Sequence, residues 1–176
     1  DELGETVQTA REAGCKDLIL LKCTSNYPAS PDTANLRTLL DMKERFNVEV
    51  GLSDHTLGSS VSVASISAGA VVIEKHFTLN RADGGVDSAF SLEPEEMKRL
   101  VCETNEAWKA CGTISYGPNQ KEKSFLMFRR SLYATKDIAI GEKLTKENVR
   151  AIRPGLGLSP KFYDLIMGKK VKIHIK

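Results

Sequence analysis

Apolar residues recur along this chain in two alternating textures. Over residues 2–13, Leu3, Val7, Ala10 and Ala13 fall at helical spacing, and Gly14 stands where a helix-terminating glycine belongs. Leu18-Ile19-Leu20-Leu21 is a short continuous apolar run, extended by Lys22 and Cys23. That pattern predicts a strand buried on both faces, as in a parallel sheet. Tyr27-Pro28 and Ser30-Pro31-Asp32 break it into loop. A second helix is predicted with Leu36, Leu39, Leu40 and Phe46 on its apolar side, then a strand at Val48-Glu49-Val50-Gly51-Leu52. Residues 59–68, rich in Ser, Ala and Val, predict a tightly packed helix that Gly69 stops. Ala70 to Ile73 is the third strand. A last long helix has Pro94 in its first turn and Gly112 at its end. Met97, Leu100, Val101, Thr104, Trp108 and Cys111 line one of its faces.

Helices alternating with strands imply parallel strands joined by right-handed crossovers. Three strands are too few for a closed barrel, so residues 1–116 read as the last part of a (β/α)8 TIM barrel. After Gly112 the texture changes. Residues 117–124 look like a linker with a turn at Tyr116-Gly117-Pro118-Asn119, and residues 125–176 like a small β-rich module. Within it, residues 128–140 suggest strand. Thr145 caps a short helix-like turn ending near Arg150, and Ser159 with Pro160 opens a helix closed by Gly168. Val171, Ile173 and Ile175 alternate with polar residues as in a half-buried strand.

The composition is that of an ordinary globular chain, 41% hydrophobic and 27% charged over 176 residues. No apolar run approaches the ~18 residues of a membrane-spanning helix. The acidic start has no signal-peptide character, so the protein is expected in the cytoplasm. It lacks an initiator Met, which points to a start inside a longer protein. The net charge of +2 conceals a split. Residues 1–116 hold 11 Lys and Arg against 18 Asp and Glu; residues 117–176 hold 14 against 5. An acidic and a basic module suggest different partners, or two solvated surfaces that attract each other. Cys15, Cys23, Cys102 and Cys111 form no C-x-x-C pair and read as reduced, buried structural residues with no base beside them.

His55 and His76 carry the sharpest chemistry. Each follows the C-terminal end of a predicted strand, and the two strands are consecutive. Neighbouring strands lie about 4.8 Å apart, so imidazoles at one level can share an ion. Two His with carboxylates nearby suit Mn²⁺ or a similar divalent ion better than a closed zinc site. Period-2 alternation puts Glu74 on the same side as His76, where it can orient a ligand or move a proton. A rim salt bridge from Glu74 to Lys75 or Arg81 is the alternative. Asp54 is expected to point the other way, as a structural acceptor. Asp87 follows the Gly84-Gly85 loop, which could cover a ligand or be a plain turn. Ser53 and the Cys23–Tyr27 segment offer strand-end polar groups for a carboxylate or phosphate. Arg153, in an Arg-Pro-Gly loop, can present a guanidinium to carboxylate or amide oxygens. His174 is expected to face solvent. Dinucleotide, P-loop and hydrolase-elbow motifs are absent.

Cys23-Thr24-Ser25-Asn26-Tyr27-Pro28, Gly51-Leu52-Ser53-Asp54-His55-Thr56 and Ile73-Glu74-Lys75-His76-Phe77-Thr78 resemble the sialic acid synthase family. Asp83 to Ser91, Tyr116-Gly117-Pro118 and Phe128 to Tyr133 look most like its pseudaminic acid synthase branch, and residues 125–176 are similar to the SAF, or type III antifreeze-like, domain. The resemblance implies condensation of phosphoenolpyruvate with an N-acylated amino-sugar aldehyde. C3 of phosphoenolpyruvate attacks the aldehyde carbon, water adds to C2, and phosphate leaves with C–O cleavage. It implies a divalent metal, Mn²⁺ first with Mg²⁺ or Co²⁺ as alternatives, held by His55 and His76. It gives Glu74 and Asp87 contacts to substrate or water, and places Ser25, Tyr27 and Ser53 near the substrates. It puts Arg153 over the active site of the partner subunit in a domain-swapped homodimer. Family members begin with further strands that supply phosphate-binding groups, so the 176-residue chain alone is expected to be inactive. Other readings stay open: an N-acetylneuraminate or legionaminate synthase, or a free-standing SAF-type carbohydrate-binding module. Nucleic-acid binding is not expected, because the aromatics of the basic module form no stacking signature.

Overall fold

A computed structural model describes residues 2–176. The chain divides into two compact units, residues 1–113 and 114–176. In the first, α1 (Glu2–Glu12), β1 (Ile19–Cys23), α2 (Thr38–Phe46), β2 (Glu49–Asp54), α3 (Ser60–Ser67), β3 (Ala70–Lys75) and α4 (Pro94–Cys111) alternate. The three strands form one parallel sheet in the order β1-β2-β3. This is the construction of a barrel segment, since parallel neighbours need helical crossovers. Gly14 and Gly69 both adopt φ +90° at the ends of α1 and α3, a conformation that favours glycine. Pro94 opens α4, where Glu93 and Glu96 form a reciprocal capping box.

The helix-facing side of the sheet is the buried one. Leu20, Val50 and Ala70 pack with Val7, Leu39 and Met42, and a second cluster joins Leu52 to Ala34 and Val61. On the opposite side β1 is open, and three expectations of burial fail. β1 is buried on one face only: Ile19 is 45% exposed. On α2 the inward residue beside Leu39 is Met42, while Leu40 is exposed. On α4 only Leu100 is buried, and Val101, Trp108 and Cys111 are exposed. Those apolar positions have too few packed layers against them among the described residues. The same holds for the cysteines, which are free and all exposed rather than buried.

α3 shows why a Ser-rich segment still forms a helix. Ser62 and Ser65 are fully buried, and the Ser65 hydroxyl donates to the Ser62 carbonyl at 2.7 Å. The Ser62 hydroxyl bonds to Asp54 and that of Ser65 bonds back onto its own helix, so both are satisfied inside the fold.

The second unit pairs β4 (Ser131–Ala134) antiparallel with β5 (Val149–Ile152) over a core of Leu132, Ile138, Val149 and Val171, and adds the short α5 (Tyr163–Ile166). Here the expected elements shift. Residues 122–128 form a 3₁₀ helix, so the strand starts only at Ser131. The turn from Thr145 is pinned by Asn148, 1% exposed, which accepts from the Thr145 N–H and donates to the Lys143 carbonyl. Val149 and Arg150 therefore enter a strand rather than end a helix. Around residues 171–175 only isolated bridges form instead of a strand, Lys170 to Lys143 and Ile175 to Ile138, with the Gly141-Glu142 turn lying between their partners. Ile173 is consequently 71% exposed. His174 is exposed, as its alternation requires.

Gly51 lies at the tightest point of the parallel sheet. A Cβ there would come within 2.5 Å of both the Leu21 side chain and the Val72 carbonyl oxygen. Gly51→Ala should therefore lower stability by about 1–3 kcal/mol in urea unfolding; an unchanged midpoint would contradict this packing.

Candidate functional site

The site grows from strand alternation. β2 and β3 pair with Ser53 beside Glu74 and Asp54 beside Lys75. Alternation sends Ser53 and Glu74 to one face and Asp54 and Lys75 to the other. On the first face the Ser53 hydroxyl donates to Glu74 Oε1 at 2.6 Å. Glu74 therefore pairs with neither Lys75 nor Arg81. One residue beyond each strand, on that same face, stand His55 and His76, with ring centroids 5.1 Å apart.

His55 is 7% exposed, and its Nδ1 lies 2.9 Å from the Thr24 carbonyl oxygen. A carbonyl only accepts, so Nδ1 carries a proton, and in the neutral ring Nε2 is the nitrogen with the lone pair. Cys23 Sγ is 3.8 Å from the same Nδ1, so a ring nitrogen does stand beside this thiol. His76 Nδ1 lies 3.5 Å from Asp87 Oδ2, an electrostatic contact longer than an ordinary hydrogen bond. Tyr27 packs against both imidazoles, at 4.4 Å from His55 and 5.9 Å from His76.

Phe90 was not singled out by the sequence. Its ring sits 5.1 Å from His76 and 5.6 Å from Tyr27. It reaches the site because the loop after β3 is tied at its neck. The His76 carbonyl accepts from Leu92 N–H at 2.8 Å, and Thr78 N–H donates to the Leu92 carbonyl at 2.9 Å. Arg81 braces the neck with bonds to the Ser91 carbonyl and both Glu96 oxygens. A Pro-free, Gly-rich segment signals a loop, but not which aromatic it returns to the strand ends.

Opposite this face, Asp54 and Lys75 make an ion pair at 2.9 Å with side chains 1% and 2% exposed. Asp54 also accepts from the Thr56 N–H, the Thr56 hydroxyl and the Ser62 hydroxyl. Burial by itself would raise the Asp54 carboxyl. The donors from Ser62, Lys75 and Thr56 outweigh it and hold the group below its ordinary value. Asp54 thus points away from the histidines, as alternation requires.

Of the remaining candidates, Ser25 lies on the exposed loop after β1, its hydroxyl 3.8 Å from Cys23 Sγ. Arg153 belongs to the second unit, exposed on a loop pinned by Gly155 N–H to the Met127 carbonyl at 2.7 Å. Among the described residues no three His, Cys, Asp or Glu side chains converge on one point, and no helix is long and apolar enough to cross a membrane.

Parallel βα units with polar side chains gathered at the carboxyl ends of their strands are how barrel-type α/β folds build sites. Comparison with known proteins gives this class a family. The NeuB family profile matches residues 1–116 and the SAF domain profile residues 129–176. The chain belongs to the NeuB family. It is 43% identical over 176 residues to a pseudaminic acid synthase of Campylobacter jejuni, covering 100% of this chain and 51% of that protein. It is 38% identical over 171 residues to an N,N'-diacetyllegionaminic acid synthase of the same species, covering 96% of this chain and 51% of that protein. The chain thus spans about half the length of the curated relatives it matches. Among solved structures it resembles an N-acetylneuraminic acid synthetase of Leptospira borgpetersenii crystallised with citrate. That match has a TM-score of 0.62 and 33% identity over 69% of this chain and 43% of that one. The spore coat polysaccharide biosynthesis protein SpsE of Bacillus subtilis matches with a TM-score of 0.59 and 27% identity over 98% of this chain and 54% of that one.

The loop brace can be read by titration. The Arg81 guanidinium, with the Glu93 N–H, lowers the Glu96 carboxyl from an ordinary 4.5 to about 2. The pair is therefore complete above pH 4.5 and is lost as pH falls through about 2. In Arg81→Met the Glu96 midpoint, followed by carboxyl ¹³C NMR, should return toward 4.5. A midpoint that stays near 2 would show that Arg81 is not the cause.

Proposed function

We propose that the polypeptide carrying these residues condenses phosphoenolpyruvate with an N-acylated amino-sugar aldehyde to form a nonulosonic acid, with pseudaminic acid synthesis as the first reading. The observation that carries it is the juxtaposition of His55 and His76 at adjacent strand ends, beside Tyr27, Glu74 and Asp87. Family membership and the names of the relatives support it.

The two imidazoles suit a divalent ion, with Mn²⁺ preferred. Imidazole nitrogens bind a divalent ion at about 2.1 Å, and rings with centres 5.1 Å apart are close enough to share one. The protonated Nδ1 of His55 leaves Nε2 as its donor atom. Two protein donors leave open positions, as catalytic rather than structural sites do. When bound, the ion supplies Lewis-acid polarisation of the sugar aldehyde.

The chain's own groups do the rest. The Thr24 carbonyl and the Asp87 carboxylate orient the two rings through Nδ1. Ser53 holds one oxygen of Glu74, which leaves the other to take or give a proton at the water that adds to C2. Asp87, 51% exposed on its side chain, is open to a sugar hydroxyl. Tyr27 and Phe90 form an aromatic wall beside the two imidazoles, against which a sugar can pack. Ser25 lies on the rim where a phosphate or carboxylate can be met. Arg153 of a partner subunit closes over the N-acyl group in a domain-swapped homodimer.

The test is phosphate release by the natural polypeptide carrying this sequence. The assay supplies phosphoenolpyruvate with the precursors of pseudaminic, legionaminic and N-acetylneuraminic acids in turn. Chelation should abolish turnover and Mn²⁺ restore it. His55→Ala or His76→Ala should each lower kcat/KM by about 100-fold or more. Metal-independent turnover, or full activity in either variant, would refute this reading. Arg153→Ala should raise the sugar KM by about tenfold, the loss of one charge-assisted hydrogen bond, and leave that of phosphoenolpyruvate unchanged. Equal effects on both would place Arg153 elsewhere.

A further inference from the structure

The buried ion pair on the far side of the sheet has no part in the chemistry above. Asp54 and Lys75 are direct register partners at the ends of β2 and β3. Each immediately precedes a histidine of the site. Lys75 Nζ bonds to Asp54 Oδ2 at 2.9 Å and reaches past it to the Thr56 carbonyl at 2.6 Å. Asp54 grips the Thr56 N–H and hydroxyl, both at 2.8 Å, and accepts from Ser62 of α3. The residues on either side of His55 are therefore held by one ammonium, and that ammonium belongs to the residue before His76. One rung earlier, the Ser53 hydroxyl joins the same two strands through Glu74 on the other face, and beyond the strands the two segments meet through the His55, His76 and Tyr27 rings.

We propose that Asp54 and Lys75 are positioning residues: they bolt the two strand ends together and set the separation of the imidazoles, hence the affinity of the site for its ion. The inference rests on the metal reading above. An ion shared by two nitrogens tolerates displacements of only about 0.5 Å, and the unsupported strand termini would not hold that. The ladder runs in register from Gly51–Val72 to Asp54–Lys75 and ends there. The ion pair is its last rung and carries the fixed relation on to Thr56, past the end of the strand. Ser62 extends the bolt to α3.

The experiment measures Mn²⁺ dissociation constants by EPR in the natural polypeptide carrying this sequence. It compares wild type, His55→Ala, Lys75→Met, Ser62→Ala and Leu39→Ala. Leu39 is fully buried in the core away from the strand ends, so its truncation serves as an equally destabilising control. Lys75→Met should weaken Mn²⁺ binding about tenfold or more, the range for residues that orient ligands. Ser62→Ala should weaken it by a smaller factor, about threefold, as the loss of one donor among several. Leu39→Ala should bind as wild type does. Wild-type affinity in folded Lys75→Met overturns the proposal. If that variant does not fold by circular dichroism, wild-type affinity in Ser62→Ala overturns it instead. An equal loss in Leu39→Ala also overturns it, by showing that general destabilisation suffices. If wild type binds no Mn²⁺, or His55→Ala binds it equally well, the metal reading itself falls.

Discussion

The parallel pairing of β2 with β3 decides where each candidate group stands. Ser53 against Glu74 and Asp54 against Lys75 are successive rungs of one ladder. Because side chains alternate, the first rung faces the site and the second faces α3. A slip of one residue in β3 would exchange its faces, turning Glu74 and His76 toward the helix and Lys75 toward His55. The polar pattern at the strand ends makes only one register satisfiable, since Asp54 finds its Ser62, Lys75 and Thr56 donors on one face alone.

Taking two charges out of water is costly, and an interior pair is tolerated only when its remaining hydrogen-bonding capacity is met. That condition holds here. Among the described residues every buried side-chain nitrogen and oxygen has a partner. The Ser-rich α3 serves this purpose: a helix of Leu and Ile would pack the sheet equally well but would leave Asp54 short of a donor. The opposite, site-bearing face is built on the contrary principle. Beside the buried Ser53 and His55 it leaves the His76 and Asp87 side chains partly open, 31% and 51% exposed. One sheet therefore carries a closed polar network behind an open one.

Much of this was legible in the chain. Short apolar runs bounded by Gly and Pro located all three parallel strands, and the position of His55 and His76 just past two of them follows from period and length. The outward turn of Asp54 followed from parity alone. The Asp54–Lys75 pair did not, because alternation says which face a residue takes but not which residue on the next strand lies beside it. Phe90 was hidden for a related reason: a loop's composition does not reveal where its neck is tied. In the second unit, Asn148 redirected a segment that reads as a helix start, since Thr and Asn serve turns and caps alike. The Val171–Ile175 alternation suggested a strand, but only isolated bridges form around it, with the Gly141-Glu142 turn lying between their partners.

The charge split along the chain falls between the two compact units, the acidic one bearing the histidines and the basic one bearing Arg153. An acidic scaffold is suited to a cation, and the central claim is that one ion is shared by two imidazoles through Nε2. Electron spin-echo modulation of bound Mn²⁺ tests that directly, because each coordinated imidazole contributes its own ¹⁴N coupling. The account predicts couplings from two histidine nitrogens, reduced to one by replacing either His55 or His76. Couplings from a single histidine, or a spectrum unchanged by either replacement, would contradict it.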